Sequence, residues 1–318
     1  MRKILALSIW LVVFVSTDPS SAQTIKKIAK LDTSGDVSFA VLCGGGESAV
    51  AVDQANDVHL WNLATGQHHL VKTSLNAQID PLALACEQKK VAVGSVHGTV
   101  ILLDFDGQVK QRLDLKEEII GLKLSRDGNK LAVSTTNSPV QLWDLASGSR
   151  EWMGITSFGN TNSARISPDG KSVFAADGDT YLRAYDIKGK LIYAAEGDLL
   201  EPFDVSVSAD GTMLAVAGAE GRLELRDSST GEVLKKSSSC GSPIFVVTMS
   251  PKALTVLALI VDASSLLPVG VGYWNADDPQ LKQLTVDPKT VVGMGSDANG
   301  LVLIRQDSPA TLSIERVK

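Results

Sequence analysis

Histidine and cysteine are scarce in this chain, and neither falls into a pattern that chemistry requires. Four histidines (His59, His68, His69, His97) and three cysteines (Cys43, Cys86, Cys240) serve 318 residues. No HxH, HExxH or CxxC spacing occurs, whereas a zinc site needs three or four converging ligands. His68 and His69 are adjacent, so in a strand they point to opposite faces and cannot hold one ion together. No GxSxG elbow marks a strained nucleophile. The GGG at 44–46 lacks the Gly-Lys-Ser/Thr of a phosphate loop and reads as a hairpin turn. The sequence therefore nominates no catalytic residue, no cofactor and no metal ligand.

An excess of positive charge is missing too. Lys and Arg number 30 against 36 Asp and Glu, for a net charge of −6. Nucleic-acid binding would need a basic stripe, and the same charge disfavours adhesion to anionic membranes. No linker divides the chain. Long apolar runs are confined to the beginning: Arg2 and Lys3 precede the run Ile4–Val15, and STDPSSA follows, with Ser20 and Ala22 at the positions a signal peptidase reads. A run of 12 residues is short for a bilayer span, and no cysteine follows closely enough for lipid attachment. The expectation is a signal peptide at 1–22 and a periplasmic or secreted domain at 23–318, with no transmembrane segment after removal. That removal takes away Arg2, Lys3 and Asp18, a net +1, leaving −7.

Helical periodicity is also absent. In its place is a repeat of about 42 residues, clearest in VHLWNLATGQ (58–67), VQLWDLASGS (140–149), YLRAYDIKGK (181–190) and RLELRDSSTG (222–231). A fixed period of this size means stacked supersecondary units. One marker falls at Trp61, Leu103, Trp143, Tyr185, Arg226, Trp274 and Ile314, with gaps of 42, 40, 42, 41, 48 and 40. A second, 17 or 18 residues earlier, is a polar turn: Cys43, Cys86, Ser125, Ser167 and Ser208; in unit six Ser250 lies 24 before Trp274. Between markers run short apolar stretches such as KLAVST and MLAVAG, rich in strand formers. Each unit reads as four short antiparallel strands, in unit one near 36–43, 48–52, 58–62 and 67–72. A four-stranded sheet with two apolar faces stays soluble by packing face to face in a ring. Seven units give an all-β, seven-bladed β-propeller. Unit seven lacks an outer strand, and TIKKIAKLD at 24–32 is placed to supply it and close the ring.

The chain resembles the WD-repeat family through Trp143–Asp144, with Trp61–Asn62, Trp274–Asn275, Tyr185–Asp186 and Arg226–Asp227 as looser forms. The resemblance covers 24–318 and is nearest to the WD-like propellers of exported bacterial proteins. The family's Gly-His dipeptide is missing in every unit, so its buried Asp-His-Ser-Trp network is not carried over. The family implies a non-catalytic protein- or peptide-binding scaffold, a monomer or a complex subunit. Fold analogy leaves two alternatives: a lactonase-like or quinoprotein-like enzyme, or a subunit of a cell-envelope assembly.

A partner surface is expected on the loops between second and third strands. These carry Asp53, Asp57, His97, Asn137, Asp177, Asp179, Glu220 and Asp262. An acidic ring of this kind would favour a basic peptide or a cation, although turn chemistry alone calls for Asp and Gly here. Blade six is longer, and its hairpin tip carries Leu266, Leu267 and Pro268; apolar residues on a protruding tip mark interaction sites. His59, two before Trp61, is expected to pack within its blade. The recurring aromatics are expected between blades rather than at a carbohydrate site. Cys43 and Cys86 end neighbouring inner strands, so a disulfide between them is open, the alternative being two buried thiols. Cys240 is left over and is expected to be buried.

Overall fold

The computed structural model describes residues 25–317 except 34, 44–45, 74–78, 88–89, 158 and 252–253, with backbone only at 80–83. The expected signal peptide and two of the three glycines of the 44–46 turn lie outside the described residues. The rest form seven four-stranded antiparallel sheets. In the first, Val37–Cys43, Ser48–Asp53, Val58–Asn62 and His68–Val71 run from the axis outward. These bounds match the expected strands to within a residue or two. Blades two to six repeat the order along the chain, over 79–114, 119–153, 161–196, 202–236 and 244–283.

Blade seven closes the ring. Its inner three strands are Val291–Asp297, Gly300–Ser308 and Thr311–Val317, and its outer strand is Ile25–Asp32. The register runs from Ile25↔Val317 to Asp32↔Thr311. Lys27 is ion-paired with Asp307, and the Thr33 N–H donates to the Ala310 carbonyl at 2.9 Å.

Second strands such as Ser48–Asp53 and Lys130–Thr135 are buried on both faces, which is why their apolar residues run instead of alternating. Seven buried clusters result, one between each pair of neighbouring blades. Val50 and Leu60 of blade one meet Val91 and Ile101 of blade two. Leu312 and Ile314 of blade seven meet Ala49 and Trp61 of blade one. The other five join neighbours in the same way. Stacking of this kind lets a long chain keep one continuous core.

The repeat aromatics do fill this space: Trp61, Tyr185 and Trp274 are buried, and Trp143 packs on the cluster shared with blade two. One marker was misplaced. Each of the other six pairs with the second residue of its neighbouring second strand, as Trp61 with Ala49 and Trp274 with Val256. In blade seven Val302 pairs with Arg316, so the same register sets Leu301 opposite Val317, not Ile314. Val317 is buried towards blade six, whereas Ile314 faces blade one. Blade seven has no Trp-Asp or similar dipeptide to fix the count, so the repeat period slipped by three residues.

The polar turns share one device. Ser125, Ser167 and Ser208 donate to the Asp two residues on, at 2.5, 2.6 and 2.6 Å, and accept the N–H groups of Lys130, Ser172 and Met213. In blades one and two the corresponding residues are Cys43 and Cys86, and these form a disulfide, with Cα atoms 5.0 Å apart. Cys240, expected to be buried, is exposed: it lies in the crossing from blade five to blade six, where its Sγ reaches the Ser242 carbonyl. An isolated cysteine in a loop carries no period that would place it in the core.

Candidate functional site

Antiparallel order puts the loops between second and third strands on the same end of the ring as the crossings from one blade's outer strand to the next inner strand. Three of the acids expected on this face, Asp53, Asp177 and Asp179, are buried.

Asp53 is buried, and its Oδ1 accepts from the N–H groups of Ala55 and Asp57 at 2.9 Å. Its Oδ2 lies 3.2 Å from Nε2 of the fully buried His59, whose Nδ1 is 3.1 Å from Nε2 of His68. Carboxylate oxygens accept, so His59 donates to Asp53 through Nε2. Partial burial, with His59 and His69 nearby, lowers the His68 pKa. Trp61 stacks on both imidazoles, at 5.4 and 4.9 Å between centroids. His59 is thus a packing residue in a polar chain that runs from the buried Asp53 to the exposed His68.

Blade four holds a tighter cluster. Arg183 is buried and donates to Asp177 Oδ2 at 2.8 Å and, through two nitrogens, to both oxygens of Asp179 at 2.6 and 2.7 Å. Thr161 donates to Asp177, and the Ser157 N–H to Asp179 at 2.7 Å. Burial pushes the Asp177 carboxyl up to about 7, against the pull of Thr161 and Arg183. At Asp179 burial also acts upward, but the bonds from Arg183 and Ser157 outweigh it and hold the carboxyl well below its ordinary value.

Asp262 is spent differently. Its Oδ1 accepts from the N–H and hydroxyl groups of Ser264 and Ser265, at 2.6–3.1 Å, which brings its pKa down to about 2. The acid that was to line a ring therefore caps the blade-six turn. Asp57 and Glu220 are half-exposed, and Asn137 and His97 exposed. Asn137 bonds to Thr136, and His97 has no hydrogen-bond partner among the described residues. These residues sit on separate blades. Among the described residues no three His, Cys, Asp or Glu side chains converge as a metal site would require.

The blade-six tip does protrude. Leu266 and Leu267 are 56% and 59% exposed, with Val269 beside them. Among the described residues eleven large apolar side chains are exposed. Six of them (Ile28, Leu70, Val109, Met153, Ile192, Leu234) sit singly on the outer strands of six different blades, a scatter that any soluble surface shows. The other five are Ile155, Leu200, Leu266, Leu267 and Val269, and all belong to the loop face from the blade three–four crossing round to blade six.

Sequence reasoning missed Arg183, Ile155, Leu200 and Val269. Arg183 was within reach of the repeat: the residue two before the marker is His59, Gln141, Arg183 and Glu224 in blades one, three, four and five, and every one is buried and hydrogen-bonded. Ile155 and Leu200 lie in crossings, whose length and composition follow no period.

No family model matches the chain. It is 28% identical over 152 residues to a WD repeat-containing protein, SL1-17, of Schistosoma mansoni. The match covers 46% of this chain and spans half the length of that relative. That likeness and the closed ring of seven four-stranded blades together support a WD-repeat propeller, a fold that commonly serves as a scaffold for protein interaction.

Proposed function

We propose that the chain is a non-catalytic binding module for a protein or peptide, working in an oxidising compartment outside the cytoplasm. Its contact surface is the loop face, anchored by Leu266 and Leu267 and flanked by Ile155 and Leu200. One observation carries this reading: the exposed large apolar residues that the outer strands do not account for all lie on that face. Apolar anchors ringed by polar loops are the usual centre of a protein interface. Asp53, Asp177 and Asp179 are taken up by buried hydrogen bonds, so the recognition rests on the apolar contacts. The pairing of Cys43 with Cys86 supports the exported location, because reducing compartments keep thiols free.

The test is capture in the native compartment. The full chain, tagged at its C-terminus, is lightly crosslinked beside the double variant Leu266→Asp/Leu267→Asp, whose melting temperature is checked first. A partner that the wild type retains and the folded variant loses supports the module and its surface. Equal capture by both places the contact elsewhere.

A further inference from the structure

Ile155 is 58% exposed, yet the backbone that carries it is held on both sides. It lies in the crossing 154–160 between blades three and four. The Tyr185 hydroxyl donates to the Ile155 carbonyl and accepts the Ile155 N–H, each at 3.0 Å. One residue earlier, the Gly154 N–H donates to the Val140 carbonyl at 2.8 Å. Two residues later, the Ser157 N–H reaches Asp179, which Arg183 holds by both oxygens.

Tyr185 is suited to this contact. It occupies the repeat position of Trp143 and Trp274, but those two use their Nε1 donors inside their own blades, on Gln141 and on the Asp278 carbonyl. Tyr185 reaches out of its blade instead. Its ring is buried against Trp152 of blade three, with centroids 5.3 Å apart. Burial pushes the phenol up to about 12, so its one proton stays available to the Ile155 carbonyl. A Cβ on Gly154 would sit 2.9 Å from the hydroxyl oxygen, so glycine is what lets the phenol in.

We propose that Tyr185 and Asp179 are positioning residues for partner binding: by fixing the backbone on either side of Ile155, they present its side chain as a preformed anchor. This rests on the loop face being the contact surface. An apolar side chain on a free loop turns inward to leave water, and ordering it on contact costs conformational entropy. Here that ordering is complete in the free protein. Leu200 is set in the same way, between the buried Leu199 and Glu201, whose carbonyl accepts the Ala219 N–H at 3.0 Å. The Asp262 turn does the same for Leu266. The partner therefore meets a template that is already in its binding conformation.

The experiment compares the full wild-type chain with Tyr185→Phe, which removes the hydroxyl and keeps the ring. Amide exchange of the segment 154–157 is expected to quicken about tenfold in the variant. The species captured by crosslinking is the one that the wild type retains and Leu266→Asp/Leu267→Asp loses. Its capture is expected to fall about threefold at equal folded protein. On an Ile155→Ala background, Tyr185→Phe shifts melting temperature by the same amount as on the wild type. It leaves capture unchanged there, because the anchor it positions is gone. Should Tyr185→Phe not fold, Gly154→Ala leaves the core phenol in place and displaces the crossing, with the same effects on exchange and capture. Equal exchange in wild type and variant overturns the pinning, whatever is captured. Capture unchanged by Tyr185→Phe, or lowered equally on both backgrounds, overturns the positioning role alone. If Leu266→Asp/Leu267→Asp captures as the wild type does, the contact surface itself fails, and the role with it.

Discussion

Leu266 holds a left-handed backbone, φ 57°, with its N–H donated to the Asp262 carbonyl at 2.9 Å. The Asp262 side chain gathers the two intervening serines, and the Leu267 carbonyl accepts the Asp262 N–H at 3.0 Å. The turn thus forces a bulky residue into the conformation that glycine adopts freely, and presents it to solvent. Left-handed strain at a non-glycine residue is worth about 1–2 kcal/mol, and glycine's greater freedom in the unfolded chain offsets roughly half of it or more. Leu266→Gly is therefore expected to leave stability unchanged or raise it by up to about 1 kcal/mol in urea unfolding, while partner capture falls. A side chain kept for folding would behave the other way, with lower stability and capture that simply follows the folded fraction.

Most of the ring was legible because its signals repeat. Trp61, Trp143 and Trp274 set the blade register, and the SRDG, SPDG and SADG turns set the strand ends. Ring closure was legible from a strand-like segment without a blade of its own. The site was less so. Asp177, Asp179 and Asp262 look alike as turn residues in the sequence, yet two are buried on Arg183 and the third caps the tip. Direction across a turn depends on which side chain pairs with which, and those pairs join residues by geometry that no local pattern encodes. The exposure of Leu266 was open for the same reason: a single sequence does not say whether a tip folds over its neighbour.

Asp177 and Asp179 share one arginine but respond to pH with opposite sign. The folded pKa of Asp179 is depressed, so its stabilisation is fully present above the ordinary 3.8 and is lost as pH falls below it. Removing one partner of a buried pair costs about 3 kcal/mol or more. Asp179→Ala is expected to show that deficit from pH 7 to pH 5, with the gap to wild type narrowing below about pH 4. The folded pKa of Asp177 is raised to about 7, so wild-type stability falls as pH rises from 3.8 towards 7. Asp177→Asn keeps an acceptor and cannot ionise; its stability relative to wild type improves between pH 5 and pH 8. Chemical denaturation at four pH values separates the two, and parallel curves for both variants would remove the assignment.

Cys43 and Cys86 close a loop across the first two blades, with a sequence separation of 43. In the chain-entropy account a loop of that size stabilises by about 2–4 kcal/mol. The thiol count of the denatured protein is expected to be one before reduction, from Cys240, and three after it. Cys43→Ser/Cys86→Ser is expected to unfold at lower urea, and addition of a reductant to lower the wild type to the same midpoint. Three thiols before reduction would show two unbridged cysteines, and the variant would then lose little.

Asp204 joins three blades by one carboxylate. Ser163 and Arg165 reach it from blade four, and the Val247 N–H from blade six. Beside it, Ser206 Oγ accepts the Met249 N–H at 3.2 Å, a second link between the inner strands of blades five and six. Asp204→Ala leaves a mostly buried guanidinium and a backbone N–H without their acceptor, at a cost of about 3 kcal/mol. Ser163→Ala removes one of three donors from a carboxylate that keeps the others, and costs about 1 kcal/mol. The double variant should fall short of the sum, because Ser163 has no acceptor to lose once Asp204 is gone. Urea unfolding of the four proteins measures the shortfall directly. A near-additive cycle would mean that Ser163 and Asp204 stabilise their blades independently. A shortfall of about 1 kcal/mol would establish Ser163 and Asp204 as one unit, and Arg165→Met on the Asp204→Ala background would then recover stability by removing the stranded charge.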